Sequence, residues 1–188
     1  MKKLLISITA LVLILTLFAG CSAFMKGFRE GLEQTRGKDT EGVQTVKSDR
    51  SSLSMEFPNS WKEASLHDVA TIQMAFAAKE QYMIVIEESA SDFDDGFTID
   101  DYAAIILENM KTTVEVTGDS TITDTTIGGN LAAKQFELAG SIEKVKAKYL
   151  VTCIENDGIF YQFTAWSLQS KYDEAKPAFE DVLKSIAF

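Results

Sequence analysis

Hydrophobic and polar residues alternate along the first half of the chain with the two-residue period of β-strands. Apolar side chains occupy every second position in residues 53–57, 72–76 and 82–87, and Pro58 ends the first of these runs. The third run is apolar on both faces near its middle, which is typical of a central strand covered on both sides. The pattern therefore predicts three strands, of which the third is buried.

The hydrophobic period changes to 3.6 residues in two places, and each change predicts an amphipathic helix. The first helix is predicted over residues 98–113, with Thr98 as its N-cap and Asp101 completing a capping box. The second is predicted over residues 171–185, where Pro177 either kinks the helix or marks its true start.

Alternation returns between the two helices and predicts four more strands. Their approximate ranges are 114–123, 131–139, 144–154 and 159–168. Glycine and asparagine at 127–130 and 156–158 indicate turns, because both residues adopt positive φ readily. Three strands, a helix, four strands and a helix predict an α+β fold, with an antiparallel β-sheet and helices packed on it.

The N-terminus has the pattern of an export signal. Lys2 and Lys3 precede an uncharged run of about 15 residues, shorter than the roughly 20 that a membrane-spanning helix needs. Residues 18–21, Phe-Ala-Gly-Cys, resemble the lipobox of bacterial lipoproteins, in which the cysteine becomes the lipidated first residue of the mature chain. An ordinary cleaved signal peptide and an uncleaved anchor are the alternatives, and neither explains a cysteine after Ala-Gly.

The lipobox divides the chain into three predicted parts. Residues 1–20 are a lipoprotein signal peptide, residues 21–47 a lipidated N-terminus and flexible tether, and residues 48–188 a single α+β domain. Glycines and scattered charge argue against a packed element in the tether. The alternative is a short helix on the bilayer surface, because four apolar residues share one helical face: Phe24, Met25, Phe28 and Leu32.

The charge balance excludes several classes of function. The chain carries 28 acidic and 18 basic side chains, and residues 48–188 hold 24 of the acidic and 11 of the basic ones. Nucleic acid and anionic lipid headgroups repel such a domain, so we exclude nucleic-acid binding. If the protein lies at a membrane, a lipid on Cys21 has to hold it there.

Two segments of the predicted domain resemble a known group of proteins. Residues 55–62, Met-Glu-Phe-Pro-Asn-Ser-Trp-Lys, and 183–188, Leu-Lys-Ser-Ile-Ala-Phe, are similar to the opening and the end of PsbP-like and DcrB-like domains. The resemblance covers residues 50–188 and includes the order of elements. It implies an α-β-α sandwich around an antiparallel sheet, and it carries no catalytic motif, because members of this group are chiefly binding or assembly-support proteins.

Acidic residues before the first helix are the candidates for a metal site. Asp92, Asp94 and Asp95 could bind a hard cation such as calcium through their carboxylates. Their spacing does not fit an EF-hand, because most of the required ligand positions hold other residues. A solvated turn ahead of a helix is the structural interpretation.

Other reactive side chains are few. His67 lies next to Asp68, but adjacent residues rarely face each other productively, and no Gly-x-Ser-x-Gly sequence is present. Cys153 alternates with apolar residues and is predicted to be buried. Two cysteines and one histidine exclude the usual zinc patterns. The large aromatic residues are expected to fill the core: Trp61, Tyr149, Tyr161, Phe163 and Trp166.

Three lysines form a basic stripe on this acidic domain. Lys144, Lys146 and Lys148 occupy alternate positions of one predicted strand. A solvated strand face is the first interpretation, and contact with an acidic patch on a partner is the second.

Together these patterns favour a non-enzymatic protein that needs no cofactor. We expect it on the extracytoplasmic face of the cell membrane, anchored by lipid and binding a protein or another component of the cell envelope. The alternative is a lipoprotein module that binds a small molecule or calcium. A hydrolase whose residues meet only in the folded chain is a third, weaker hypothesis.

Replacing Cys21 tests the predicted anchor. Cys21→Ala removes the thiol that lipidation requires, so the variant should accumulate as an uncleaved precursor and lose incorporation of labelled palmitate. Gel mobility and palmitate labelling in intact cells measure these two effects. Cys153→Ala is the matched control and should mature normally. Normal maturation of Cys21→Ala would contradict the lipobox interpretation.

Overall fold

The computed structural model describes residues 41–188, and the elements below are numbered within that range. The strands are β1 (Val43–Lys47), β2 (Ser54–Pro58), β3 (Lys62–Glu63), β4 (Ile72–Phe76), β5 (Gln81–Ser89), β6 (Glu115–Val116), β7 (Thr123–Ile127), β8 (Leu131–Ile142), β9 (Val145–Asn156) and β10 (Ile159–Leu168). The two α-helices are α1 (Ile99–Thr113) and α2 (Tyr172–Lys184). No helix in this range is long and apolar enough to cross a membrane.

Eight strands form one antiparallel sheet. Their order is β3-β4-β5-β10-β9-β8-β6, and β7 also pairs with β8. Strands β1 and β2 form a separate antiparallel pair. The predicted α+β class and its antiparallel sheet are confirmed.

The two faces of the sheet bury two separate hydrophobic cores. On one face α1 packs over side chains such as Phe160 and Trp166 of β10. On the other face α2 and β2 cover Tyr161 and Phe163 of the same strand. Because successive side chains of a strand point to opposite faces, β10 contributes to both cores. Strand β5 is buried on both sides, as its apolar pattern predicted, and β10 is also buried on both sides.

The predicted outer strand over residues 114–123 is replaced by two shorter strands, β6 and β7. Gly118 adopts φ +89° between them, a conformation that interrupts an extended strand. The irregular segment is held to β8 by hydrogen bonds from the Thr117 amide to the Ala139 carbonyl, 2.8 Å, and from the Ser120 hydroxyl to the Glu137 carbonyl, 2.7 Å.

Strand β1 lies inside the segment predicted to be a tether, residues 21–47. It pairs with β2 over five residues, so the ordered part of the chain includes residues 43–47. Gln44 fixes this strand further, because its amide nitrogen donates to the Trp61 carbonyl at 2.7 Å. The remainder of the predicted tether up to residue 40, together with Cys21 and the predicted signal peptide, lies outside the described residues.

Both helices begin close to where the sequence predicts. The capping box of α1 is present: the Thr98 hydroxyl accepts from the Asp101 amide at 3.3 Å, and the Asp101 carboxylate accepts from the Thr98 amide at 3.0 Å. Helix α2 begins at Tyr172 and continues through Pro177, so the alternative start near Pro177 is wrong.

Helix α2 is held to the sheet by apolar packing and by ion pairs along one flank. Glu137 of β8 lies 2.5 Å from the Lys148 ammonium and 2.7 Å from the Lys176 ammonium. Partial burial raises the pKa of Glu137, but the two lysines outweigh it and hold that pKa below its ordinary value. The Lys148 ammonium also lies 4.4 Å from the centre of the Tyr172 ring. Lys148 of β9 therefore helps to hold α2 against the sheet.

The buried contacts of α2 can be tested by truncating Phe179. Its side chain has no exposed surface and its ring centre lies 6.2 Å from that of Trp61. We expect Phe179→Ala to lower the free energy of unfolding by about 3–5 kcal/mol, measured by urea denaturation. Phe188→Ala makes the same change at a residue that is 38% exposed and should cost no more than about 1 kcal/mol. Equal losses in the two variants would contradict this account of the core.

Candidate functional site

A groove of about 510 Å³ lies between α2 and the turns that follow β2 and β4. We call it the α2 groove. The β2–β3 turn supplies Pro58, Ser60 and Trp61 to its lining. Trp61 is 1% exposed and its ring lies against Phe57, with ring centres 5.5 Å apart. The indole therefore forms a fixed apolar floor.

The connection between β4 and β5 supplies the second wall of the α2 groove. A 3₁₀ turn, Ala77–Lys79, joins the two strands, and Glu80 follows with φ +55°. Phe76, Lys79 and Gln81 line the groove from this connection. The Lys79 ammonium lies 5.2 Å from the centre of the Phe76 ring, so a cation borders the apolar floor.

Helix α2 and the residue before it form the third wall. Lys171, Glu174, Pro177 and Asp181 line the groove along this side. Residues three or four apart share one face of a helix, which is why these positions lie together. The Lys171 ammonium lies 2.6 Å from the Glu80 carboxylate, and this ion pair joins the α2 wall to the β4–β5 wall.

Two uncharged polar residues of the α2 groove are almost fully buried. Ser60 and Gln81 are each 6% exposed. Both line the groove, and neither is among the residues whose side-chain polar atoms are enclosed without a hydrogen-bond partner. Their polar atoms therefore face the groove, where a ligand could hydrogen-bond to them. The arrangement suits binding of a small or extended ligand with polar groups.

The α2 groove was missed by sequence reasoning because it is assembled from three distant segments: 58–61, 76–81 and 171–181. Trp61 was expected in the core, and its burial agrees with that expectation. The sequence contained one partial signal, the turn residues at 79–81, but nothing in it shows that Gln81 lines a groove.

The acidic residues proposed for cation binding lie elsewhere. Asp92, Asp94 and Asp95 are exposed in the connection between β5 and α1. Within residues 41–188 no group of three or more histidine, cysteine or acidic side chains is arranged to hold a metal ion. The structure therefore offers no observation that favours a calcium site, and the solvated-turn interpretation describes these residues.

The two candidate reactive residues are also outside the α2 groove. His67 is half-buried, and its Nδ1 accepts from the Val69 amide at 3.4 Å. Cys153 has no exposed surface, and burial raises the pKa of its thiol far above the ordinary value. A thiol that stays protonated and inaccessible is a poor nucleophile. Its predicted place in the core is consistent with this burial.

A second buried titratable group lies beneath α1. The Tyr102 hydroxyl donates to the Glu88 carboxylate at 2.6 Å, and Tyr102 is 1% exposed. Burial raises the pKa of Glu88 although the Tyr102 hydrogen bond opposes that rise, and the negative charge of Asp92 adds to it. Tyr102 stacks on Phe160 with ring centres 4.8 Å apart. This group belongs to the packing of the α1 core.

Comparison with solved structures finds the same fold at low sequence identity. The PsbP protein of the cyanobacterium Synechocystis sp. PCC 6803 aligns with a TM-score of 0.58 and 14% identity, over 82% of this chain and 98% of that protein. LpqN of Mycobacterium tuberculosis aligns with a TM-score of 0.57 and 12% identity, over 78% and 90%. No family model and no curated protein matches the sequence. The chain thus has a PsbP-like fold.

Glu88 gives a pH-dependent prediction. Its pKa in the folded protein is raised, so its ionisation opposes folding, and stability is lost as the pH rises from its ordinary pKa of 4.5 through the raised value. Glu88→Gln removes that charge, keeps an acceptor for Tyr102, and should be more stable than the unmodified protein near pH 8. Urea unfolding at about pH 4 and pH 8 measures the effect. The stability difference should shrink at the lower pH. A difference that does not change with pH would contradict the burial argument.

Proposed function

We propose that this protein is a non-enzymatic binding protein of the cell envelope. It is held on the extracytoplasmic face of the cell membrane by a lipid on Cys21, and it binds its partner at the α2 groove. The observation that carries this proposal is the groove itself, whose lining includes the polar side chains of Ser60 and Gln81 and the ammonium groups of Lys79 and Lys171. A concave surface with a few polar groups in its lining is typical of a ligand-binding site.

The composition of the α2 groove supports binding rather than catalysis. Among residues 41–188, its lining includes neither histidine nor cysteine. Ser60 is its lining hydroxyl, and no imidazole lies beside it to act as a general base, because His67 is the chain's single histidine and lies outside the groove. Nucleophilic catalysis by a serine needs such a base within hydrogen-bonding distance.

The envelope location is supported by the N-terminal pattern and by one structural neighbour. Residues 18–21 resemble a lipobox, and the uncharged run before them is of signal-peptide length. LpqN, which has the same fold, is involved in cell envelope biogenesis in Mycobacterium tuberculosis. The fold is compatible with that location, while the lipid on Cys21 rests on the sequence.

The start of the described chain lies next to the α2 groove. The Asn59 side-chain amide donates to the Glu41 carbonyl at 2.9 Å, and the Asn59 backbone amide donates to the Gly42 carbonyl at 3.0 Å. Asn59 stands between Pro58 and Ser60, which both line the groove. A chain anchored through Cys21 would therefore reach the domain at the edge of its binding surface, which favours a partner at or near the membrane.

Site-specific photo-crosslinking in intact cells tests this function. A crosslinking amino acid at position 178, inside the α2 groove, should form a defined adduct with the partner. The same amino acid at position 108 is the matched control, because Glu108 is 71% exposed on α1, on the opposite face of the sheet.

Two results would contradict the proposal. One is an identical set of adducts from positions 178 and 108, which would mean that the groove is not a specific surface. The other is turnover of an envelope substrate by the purified full chain, which would make the protein an enzyme.

A further inference from the structure

We propose that the ligand of the α2 groove carries a carboxylate group, which is bound by Lys79, Lys171 and the side-chain amide of Gln81. The inference rests on the proposed function, because it names the chemistry that the same groove recognises. The proposed ligand has one negative charge and an apolar body.

The three proposed donors line the groove from neighbouring segments of the chain. Gln81 is the first residue of β5 and stands opposite Phe76 and Ser167 in the sheet. Lys79 precedes Gln81 by two residues in the connection from β4. Lys171 is joined to the same connection through its ion pair with Glu80 at 2.6 Å. All three line the groove.

The chemistry of these donors fits a carboxylate. Each ammonium offers three N–H donors, so Lys79 and Lys171 each keep donors for a ligand beside the contacts that they make within the protein. The Gln81 amide adds an uncharged N–H donor from a side chain that is 6% exposed. A charge-assisted hydrogen bond is about twice as strong as a neutral one, and a partly enclosed position limits competition from water.

The surrounding acidic residues limit the charge of the ligand. Glu80 already partly neutralises the charge of Lys171. Glu174 lies on the same wall of the groove, three residues after Lys171. Asp181 lies at the far end of this wall and pairs with Lys184 at 2.8 Å. A doubly charged phosphate would meet more repulsion here than a carboxylate with one charge.

The rest of the groove indicates the remainder of the ligand. Pro177 presents apolar surface, and Trp61 and Phe76 border the groove by their edges while their rings pack in the core. A volume of about 510 Å³ accommodates a compact molecule with an aromatic or aliphatic body. Ser60 would accept or donate one further hydrogen bond.

A matched pair of probes tests the charge requirement. The probes are 3-phenylpropionate and its uncharged analogue 3-phenylpropanamide, which differ only in the carboxylate. Titration of the full chain in a nonionic detergent, followed by saturation-transfer NMR, gives the dissociation constants. We expect the carboxylate to bind about tenfold more tightly than the amide, since an ionic hydrogen bond is stronger than a neutral one. Its advantage should shrink as salt is added.

Variants that remove one charge each test which residues bind the carboxylate. Lys79→Gln and Lys171→Gln should each weaken carboxylate binding about three- to tenfold and leave amide binding unchanged. Glu174→Gln should strengthen carboxylate binding about two- to fivefold, because it removes a nearby negative charge. Lys146→Gln is the control: Lys146 is exposed on β9, outside the groove lining, and its loss should change neither probe.

The results separate failure of this inference from failure of the proposed function. Equal binding of both probes, or carboxylate binding that survives both lysine variants, overturns the carboxylate inference while the groove remains a binding surface. Weaker carboxylate binding by the Glu174→Gln variant also overturns the carboxylate inference. That result would mean that Glu174 attracts the ligand instead of repelling it. If neither probe binds, the inference fails, and the adduct at position 178 decides independently whether the groove binds a partner.

Discussion

The attachment of α2 to the sheet is the constraint on which the binding surface depends. The Phe179 ring is buried in the core between α2 and the sheet. On one flank of the helix, Glu137 of β8 forms ion pairs with Lys148 and Lys176. On the flank that faces the groove, Lys171 pairs with Glu80 and joins the start of α2 to the β4–β5 connection. Contacts on both flanks, together with the buried ring of Phe179, therefore fix the helix that forms one wall of the groove.

Much of the fold could be predicted from the sequence because its signals are local. Alternation marked β4, β5, β9 and β10, and the capping box marked the start of α1. The prediction failed where tertiary contacts decide. Residues 43–47 form β1 only because β2 offers a partner, in a stretch whose glycines and charges resemble a tether. The predicted strand over residues 114–123 is divided at Gly118, which adopts a positive φ, while Thr117 and Ser120 on either side of it bond to β8.

The candidate site was less predictable for a different reason. Sequence reasoning selected charged clusters, and the conspicuous one, with Asp92, Asp94 and Asp95, is an exposed connection. The residues that distinguish the α2 groove are Ser60 and Gln81, which are ordinary turn and strand residues in the sequence. Their interest comes from their position in the wall of a groove, and that position is a property of the assembled chain. Only the positions of three distant segments reveal it.

The hydrogen bonds from Asn59 to the carbonyls of Glu41 and Gly42 bear on the affinity that the groove needs for a membrane-bound partner. Gly42 adopts φ +95°, and a β-carbon there would lie 2.8 Å from the Asn59 side-chain nitrogen, so this close approach requires glycine. If Cys21 carries the lipid, the residues from 21 to 40 separate this point from the bilayer by at most roughly 70 Å when fully extended. A membrane-bound partner would then meet the groove at an effective concentration that can approach the millimolar range. At such local concentrations a weak, rapidly exchanging contact is enough for occupancy, and the groove needs little of the buried area that a complex formed from dilute solution requires.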